Sequence, residues 1–347
     1  LLRTESHTAW QGHILPTLDE VKEPYLSMAE LSQGKPVYIR TFDRQEEKSI
    51  GLYASLSFDN EHTGFNFYRT KEGRELVLLQ IQAIILVSRE FKNVGIMFPL
   101  VSNLEDIWDS FSLIEAAIEQ LQIQGLIERE FKVTDYPIIR VMVENVSAID
   151  NIQEILSAAD INIGTNDLTK SVLDIDRDDP SIGKKIAGII PSVSRRIIYV
   201  AEKAAQQNKS MCICGSYASE PNLWVLAAYM AKLIPGLNVS LSVPFIAVPQ
   251  AKYFLHHLAV IVENEPVIES IHKLFTLNQP LPAMAKLNNE ASGLIKRIDQ
   301  AAIEINPKYL EIKNEIDKHY LERLRDSQSS SPALAKEPLA INRQLSA

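Results

Sequence analysis

Two runs of sequence, IIRVMVEN (138–145) and INIG (161–164), decide the fold class of this chain. Apolar residues, many of them β-branched, fill both faces of each run, and that pattern is typical of strands buried in a parallel sheet. Similar runs occur elsewhere in the sequence: LLRT (1–4), PVYIR (36–40), VGIMFPLV (94–101), MCIC (211–214) and NVSLSV (238–243). GFNFYR (64–69) is a further candidate strand, so the sequence predicts eight strands.

Helical patterns lie between the strands, for example LEDIWDSFSLIEAAIEQLQ (104–122) and IGKKIAGIIPSVSRRIIYVAEKAAQQ (182–207). This alternation predicts an α/β protein, a (β/α)₈ TIM barrel over residues 1–255. Residues 256–326 are predicted to form a helical extension, whose charges alternate in sign towards its end. The Ser- and Pro-rich residues 327–347 are predicted to be a disordered tail.

The composition excludes several classes of protein. Of the 347 residues, 46% are hydrophobic and 23% are charged, which are ordinary values for a globular protein. The net charge of −9 disfavours a broad nucleic-acid-binding surface but allows a local cationic pocket. The apolar run LVLLQIQAIILVS (76–88) is too short to span a membrane. Cys212 and Cys214 are the only cysteines, which favours a reducing, cytoplasmic location.

Charged or reactive side chains follow the predicted strands, where TIM barrels build their active sites. These residues are Arg3, Arg40, Glu144, Asn166, Asp167 and Cys214. With Arg177, the arginines Arg3 and Arg40 would neutralise a ligand that carries two or three negative charges. Glu144 and Asp167 offer the oxygen ligands that Mg²⁺ prefers. A thiol such as that of Cys214 can deliver or accept a proton in a cationic pocket.

Each of these residues also has a structural interpretation. Strand ends carry polar residues in most proteins, because that is where the chain meets water. Arg177 lies within DIDRDDP, where a neighbouring aspartate could pair with it. Asp167 could cap a helix, and Cys214 could be a buried structural cysteine. Both interpretations stay open for any single residue, although several arginines and two carboxylates at one rim favour a site.

Three segments carry a resemblance to a known family. INIGTNDLTKSVLDIDRDDP (161–180) resembles the S-I-G-T-N-D-L-T-Q-Y-x-L-x-x-D-R signature of phosphoenolpyruvate-utilising enzymes, and MCICGSYASEP (211–221) is similar to their M-C-G-E-x-A-x-D-P motif. GKPVYIRTFDRQEEK (34–48) resembles most the G-K-P-V-I-I-R-T-L-D-I-G-G-D-K segment of the Enzyme I group, the phosphoenolpyruvate-protein phosphotransferases of the bacterial sugar phosphotransferase system. The resemblance runs in order over about residues 1 to 255.

The resemblance implies a phosphoenolpyruvate-binding barrel that uses Mg²⁺ and transfers a phosphoryl group to a histidine. It implies that Glu144 and Asp167 hold the Mg²⁺ and that Cys214 protonates the methylene carbon of the enolate after the phosphoryl group has left. The substrate-binding residues that it implies are Arg3, Arg40, Lys48, Arg69, Asn166, Asp167 and Arg177.

The chain departs from the family pattern at three places. Asn66 stands where the family motif G-W-R-A-I-R has an arginine of the phosphate pocket, while Arg69 is kept. Residues 44–46 (Arg-Gln-Glu) replace a diglycine, with Lys48 retained, and Ser216 stands where a carboxylate is usual. We expect a site altered in this way to be slow or selective for another ligand.

The resemblance also implies partners. None of the seven histidines lies in the G-G-x-x-S-H context of the phosphorylated histidine, so we expect the phosphohistidine domain upstream of Leu1 or on a separate chain. A histidine-containing phosphocarrier protein and a homodimer are further expectations from the family. Two alternatives remain: a non-catalytic phosphoenolpyruvate-binding regulatory module, which the altered pocket favours, and a pyruvate phosphate dikinase or phosphoenolpyruvate synthase relative, which the IRTFD segment (39–43) disfavours.

Overall fold

The computed structural model describes residues 2–3, 16–42, 64–130, 136–174, 191–219, 221–244 and 247–261, together with single residues at 296, 300 and 314. Lys48, Arg177, the altered loop 44–46, nearly all of the predicted extension and the predicted tail lie outside these residues. The chain divides into two compact units. The first unit comprises Leu1–Ile163 and Lys209–Met211, and the second comprises Gly164–Asn208 and Cys212–Ala347.

Parallel strands form the sheet of the first unit. They are β1 (Leu2–Arg3), β2 (Val37–Arg40), β3 (Val94–Phe98), β4 (Ile138–Val143) and β5 (Asp160–Gly164), and they lie side by side in chain order. The register places Arg3 opposite Arg40, and Arg40 opposite Met97. Every residue of β3 is buried, which confirms that both faces of the sheet are covered there.

The helices of the first unit are α1 (Leu18–Leu31), α2 (Phe65–Arg69), α3 (Lys71–Glu90), α4 (Leu104–Ile123), α5 (Val146–Asp150) and α6 (Ile152–Ala158). A capping box of Thr17 and Glu20 starts α1, because each side chain binds the backbone N–H of the other residue. The apolar helix α3 packs against both α1 and α4. The sequence prediction of a helix over 104–122 is confirmed by α4.

The candidate strand GFNFYR is a helix instead. Phe65, Phe67 and Tyr68 are buried in this helix, and Phe65 and Tyr68, three residues apart, share one of its faces. Gly64 starts this helix with φ of 56°, and Thr70 ends it. The same Thr70 caps α3 by accepting a hydrogen bond from Gly73 N at 3.1 Å, so the two helices follow each other without a loop.

The second unit also alternates strand and helix. Its helices are α7 (Thr165–Leu173), α8 (Pro191–Gln206), α9 (Pro221–Leu233) and α10 (Val248–Ile261), with a single 3₁₀ turn at Ser216–Ser219. Strand β6 (Ser210–Cys214) begins in the first unit and ends in the second, where β7 (Asn238–Leu241) follows it in the sheet. Ser242 N donates to Ile213 O at 2.8 Å beyond the end of β7.

The parallel α/β architecture is therefore confirmed, with strands at all the predicted runs except GFNFYR. The described residues contain seven strands and do not show a closed eight-stranded barrel. Within the same residues, none of the helices combines the length and the apolar character that crossing a bilayer requires.

Candidate functional site

Arg40 is a buried cation at the carboxyl end of β2. The residue is 3% exposed, and its Nη1 lies 3.7 Å from the sulfur of Met142 on β4. In the neighbouring strand Arg3 is its register partner, and of Arg3 only the backbone is described. A buried guanidinium is costly unless anionic or polar groups meet it, so Arg40 needs such groups around it at the end of β2.

The segment after β2 is held by a buried hydrogen-bond network. The Tyr68 hydroxyl donates to Phe42 O at 2.6 Å and lies 2.8 Å from the Thr41 hydroxyl. Phe42 N donates to Gln80 Oε1 at 2.7 Å. Because α2 and α3 supply Tyr68 and Gln80, these helices fix the backbone that leaves the strand next to Arg40.

Glu144 follows β4 directly and is 1% exposed. Its Oε1 accepts a hydrogen bond from Leu100 N at 2.7 Å, in the segment that leaves β3. Leu100 has φ of 54°, a left-handed conformation that is uncommon for a residue with a branched side chain. The carboxylate therefore orients the ends of two neighbouring strands and is itself held in one direction by Leu100 N.

Arg69 on α2 is engaged by carboxylates of α4. Its Nε and Nη2 donate to Asp109 Oδ2 at 3.0 and 2.5 Å, and Nη2 lies 3.7 Å from Asp106 Oδ1. The hydrogen bond to Asp109 is the main reason why the pKa of Arg69 is raised. Asn66 Oδ1 accepts from Arg69 Nη1 at 3.1 Å. Asn66 and Arg69, which lie at the positions of the predicted phosphate pocket on α2, are thus hydrogen-bonded to each other, and Arg69 also binds carboxylates of α4.

Asp106 is the buried member of this group. Burial raises the pKa of its carboxyl above the ordinary value, although hydrogen bonds from the backbone N–H of Ser102 and the positive charge of Arg69 oppose that rise. Ser102 N donates to Asp106 Oδ2 at 2.8 Å, and Asp106 N in turn donates to Asn103 Oδ1 at 3.0 Å. Asp106 therefore ties the start of α4 to the segment that leaves β3.

In the second unit, Asn166 and Asp167 lie in the first turn of α7, directly after β5. Gly164 occupies the cap position of this helix, so Asp167 is not the helix cap. The Asp167 carboxylate is 24% exposed and lies 3.4 Å from Lys170 Nζ. The helix start thus presents an amide and a partly exposed carboxylate.

Cys214 ends β6 and is 2% exposed. The hydroxyl of Thr165, itself fully buried, donates to Cys214 O at 2.7 Å. Gly215 has φ of 102°, and a Cβ added to it would clash with Thr165 Oγ1 and lie 3.1 Å from Asn166 Oδ1. The backbone of the Cys-Gly segment therefore lies directly against the start of α7, and only glycine fits at residue 215.

Comparison with known proteins identifies the family. Residues 1–260 match the family model described as "PEP-utilising enzyme, PEP-binding domain". The chain belongs to this family.

Curated members of the phosphoenolpyruvate-utilising family resemble the chain over most of its length. A "Phosphoenolpyruvate-dependent phosphotransferase system" protein of Salmonella typhimurium is 26% identical over 74% of this chain and 33% of its own length. Its counterpart in Escherichia coli is 27% identical with the same coverage. A "Phosphoenolpyruvate-protein phosphotransferase" of Haemophilus influenzae is 28% identical over 70% of this chain and 41% of its own length. The chain thus spans a third to two fifths of these relatives.

Membership of the phosphoenolpyruvate-utilising family raises the question whether the residues suit Mg²⁺. The described residues contain no group of three or more His, Cys, Asp or Glu side chains that could hold a metal. Mg²⁺ needs no such group, since it is commonly bound by one or two carboxylates with waters and substrate oxygens. Glu144 and Asp167 offer hard oxygen donors of this kind, and Leu100 N already fixes the direction of Glu144. Each of these two carboxylates by itself has the donor chemistry that suits Mg²⁺.

The structure divides the predicted site residues between the two units. Arg3, Arg40, Arg69 and Glu144 belong to the first, and Asn166, Asp167 and Cys214 to the second. Sequence reasoning missed Tyr68, Gln80 and Thr165, which fix backbone segments beside these residues. Thr165 lies inside the G-T-N-D motif, and that position was the one available signal for it.

Proposed function

We propose that this chain binds phosphoenolpyruvate with Mg²⁺ and that its phosphoryl group passes to a histidine on a separate or upstream domain, with release of pyruvate. The family match over residues 1–260 supports the substrate, and the names of the relatives support phosphotransfer. On this proposal the chain acts in a sugar phosphotransferase system and receives the histidine domain, and through it a histidine-containing phosphocarrier protein, as partners.

Charged and polar residues would contact the trianionic ligand. We propose this role for Arg3, Arg40, Lys48, Arg69, Asn166, Asp167 and Arg177, as the family motifs suggest. The burial of Arg40 at the end of β2 supports it, because a desolvated guanidinium interacts more strongly with an anion than an exposed one does. Glu144 and Asp167 would hold the Mg²⁺, which when bound neutralises charge on the phosphate and enolate oxygens.

Cys214 would complete the reaction. In the transfer step the bond between phosphorus and the enol oxygen breaks, and a bond between phosphorus and a histidine nitrogen forms. The enolate of pyruvate that remains takes a proton from the Cys214 thiol at its methylene carbon, and solvent then returns a proton to the thiolate. The burial of Cys214 at a strand end, where the next residue Gly215 lies against Asn166, supports this role, because a buried donor delivers its proton to the ligand rather than to bulk water.

Finer features of the proposal follow from the family. We propose that residues 1–255 form a complete (β/α)₈ barrel, with the extension 256–326 and the tail 327–347 beyond it. We also propose that the chain is a cytoplasmic homodimer, because the family barrel dimerises. Light scattering at tens of micromolar chain concentration tests the dimer, and a monomeric mass would contradict it.

One observation carries the proposal most directly: the two family motifs at 161–180 and 211–221 meet in the structure where Gly215 packs against Thr165 and Asn166. The test supplies a phosphohistidine domain in trans, with Mg²⁺ and phosphoenolpyruvate, and measures pyruvate release together with phosphohistidine by ³¹P NMR. We expect both products in equal amounts, with loss of activity in Glu144→Gln. Absence of both products, while phosphoenolpyruvate still binds, would contradict the enzyme function.

A second candidate function is a non-catalytic phosphoenolpyruvate-binding regulatory module. It is favoured by the state of α2, where Asn66 replaces a pocket arginine and Arg69 is engaged by Asp109. A module of this kind would bind phosphoenolpyruvate and would neither transfer its phosphoryl group nor exchange the methyl protons of pyruvate. The same experiment therefore separates the two functions.

A further inference from the structure

The segment that carries Cys214 is fixed from both sides. On one side Ser242 N donates to Ile213 O at 2.8 Å. On the other, Ala218 N donates to Gly215 O at 3.1 Å, and Trp224 Nε1 donates to Ala218 O at 2.9 Å. Between these bonds, the Thr165 hydroxyl donates to the carbonyl of the peptide that joins Cys214 to Gly215. Thr165 thus helps to orient one of the two peptide planes that adjoin Cys214.

We infer that Thr165 is a positioning residue for the proton-transfer step, acting by holding the Cys214 carbonyl and with it the direction of the Cys214 thiol. This inference rests on the proposed function. The direction of a Cα–Cβ bond depends on the orientation of the adjoining peptides, so a bond to Cys214 O restricts where Sγ can lie. Gly215, with φ of 102°, could rotate away at little steric cost, because glycine populates positive and negative φ about equally.

Thr165 also links the proton donor to the ligand-binding turn. It is the first residue of α7 and immediately precedes Asn166 and Asp167. A shift of α7 would therefore move the Cys214 carbonyl together with the amide and carboxylate that we propose to contact the ligand and the metal. One buried hydroxyl, 49 residues from Cys214 in the sequence, keeps the distance between proton donor and ligand constant.

The same helix offers a matched control. Thr169 lies one turn further along α7 and is 2% exposed, and its hydroxyl makes no hydrogen bond within the described part of the chain. Thr169→Val and Thr165→Val make the same chemical change on one helix at similar burial. Only the second change removes a hydrogen bond.

The test uses the full 347-residue chain with Mg²⁺ and measures the exchange of the methyl protons of pyruvate in D₂O by ¹H NMR. In this reverse step a C–H bond of the methyl group breaks as the Cys214 thiolate takes the proton. The thiol then exchanges with D₂O and returns a deuteron to the carbon. Calorimetry with phosphoenolpyruvate gives the affinity of each variant separately, so that loss of binding is distinguished from loss of proton transfer.

We expect Thr165→Val to slow exchange at least about tenfold while the affinity for phosphoenolpyruvate stays within about threefold. Thr165→Ser, which keeps the hydroxyl, should restore exchange to within about threefold of the parent, and Thr169→Val should match the parent. If Thr165→Val does not fold, Thr165→Ser and Thr165→Ala give the same comparison, since neither is larger than threonine and they differ only in the hydroxyl.

Three outcomes would overturn the inference. The first is parent-like exchange in Thr165→Val while Cys214→Ala abolishes exchange, which removes the role of Thr165 and leaves the proposed function intact. The second is failure of Thr165→Ser to restore exchange, which assigns the effect to methyl packing. The third is a parent chain that binds phosphoenolpyruvate and exchanges no protons, which contradicts the proposed role of Cys214 and the inference with it.

Discussion

Asn66→Arg is the substitution that most directly tests whether the altered pocket limits this protein. Asn66 is exposed on α2, and its one described side-chain bond is the one that it accepts from Arg69 Nη1 at 3.1 Å. The two bonds of Arg69 to Asp109 do not involve residue 66, so we expect them to persist in the variant. The substitution therefore adds a guanidinium at the exposed end of α2 and leaves the ion pair with α4 in place.

The magnitude follows from two opposing effects. A guanidinium that meets a phosphate in bidentate fashion contributes about 1 to 3 kcal/mol, which corresponds to about 5- to 150-fold in affinity. The carboxylates of Glu105, Asp106 and Asp109, which surround Arg69 within 4.0 Å, will attract the new cation as well. We therefore expect a gain near the lower end, about 5- to 20-fold, in the affinity for phosphoenolpyruvate with Mg²⁺.

Calorimetry of the parent and of three variants checks this expectation. Asn66→Gln is the neutral control and should bind phosphoenolpyruvate like the parent. Asn66→Lys adds a charge without the bidentate geometry and should gain less than Asn66→Arg. Equal affinity in the parent and Asn66→Arg would refute the reasoning, because it would mean that residue 66 does not face the phosphate. A gain in Asn66→Lys as large as in Asn66→Arg would refute the bidentate contact.

Three further predictions concern the first unit. Glu144→Gln should weaken Mg²⁺-dependent phosphoenolpyruvate binding at least about tenfold, because the amide keeps an acceptor for Leu100 N but loses the charge; titration with and without a chelator measures the loss. Gly73→Ala should lower the free energy of unfolding, measured in urea, by about 1 to 3 kcal/mol, because the new Cβ would lie 2.7 Å from the backbone carbon of Phe67. This loss should appear although the helix propensity of Ala exceeds that of Gly by about 1 kcal/mol. Burial raises the pKa of Asp106, so the folded chain binds this proton more tightly than the unfolded chain, and the parent should lose stability as the pH rises above the ordinary aspartate pKa. Asp106→Asn should remove this loss. Unfolding at pH 4 and pH 7 should therefore show that the free energy of unfolding of Asp106→Asn, relative to that of the parent, is higher at pH 7 than at pH 4.

The sheet could be predicted because its signal is local. A run such as IIRVMVEN is apolar on both faces, and β4 lies within it. The same local reasoning failed for GFNFYR, which forms the helix α2 although aromatic residues such as Phe65 and Phe67 are common in strands. Six residues are too few to separate the helical period from the strand period when aromatic side chains fill half of them.

The positions of the candidate site residues in the fold could be predicted only in part. The rule that barrel chemistry lies at strand ends led to Arg40 and Glu144, and both are buried there. The same rule could not lead to Leu100, because nothing in its sequence context signals a left-handed φ, or to Thr165, because its partner is far away in the sequence. Contacts of this kind depend on the packing of distant segments, which no local pattern encodes.

The distribution of the changes bears on the choice between enzyme and regulatory module. The replacement of a pocket arginine by Asn66 favours the module, because it removes a cation that would stabilise the transferring phosphoryl group. Cys214 favours the enzyme, because a module that only binds phosphoenolpyruvate has no use for a proton donor, and Cys214 is present, buried and held through its carbonyl by Thr165. Together, these two features predict that the chain binds phosphoenolpyruvate weakly and still transfers the proton. A parent chain with low affinity for phosphoenolpyruvate and measurable methyl exchange of pyruvate would therefore favour the enzyme, and tight binding without exchange would favour the module.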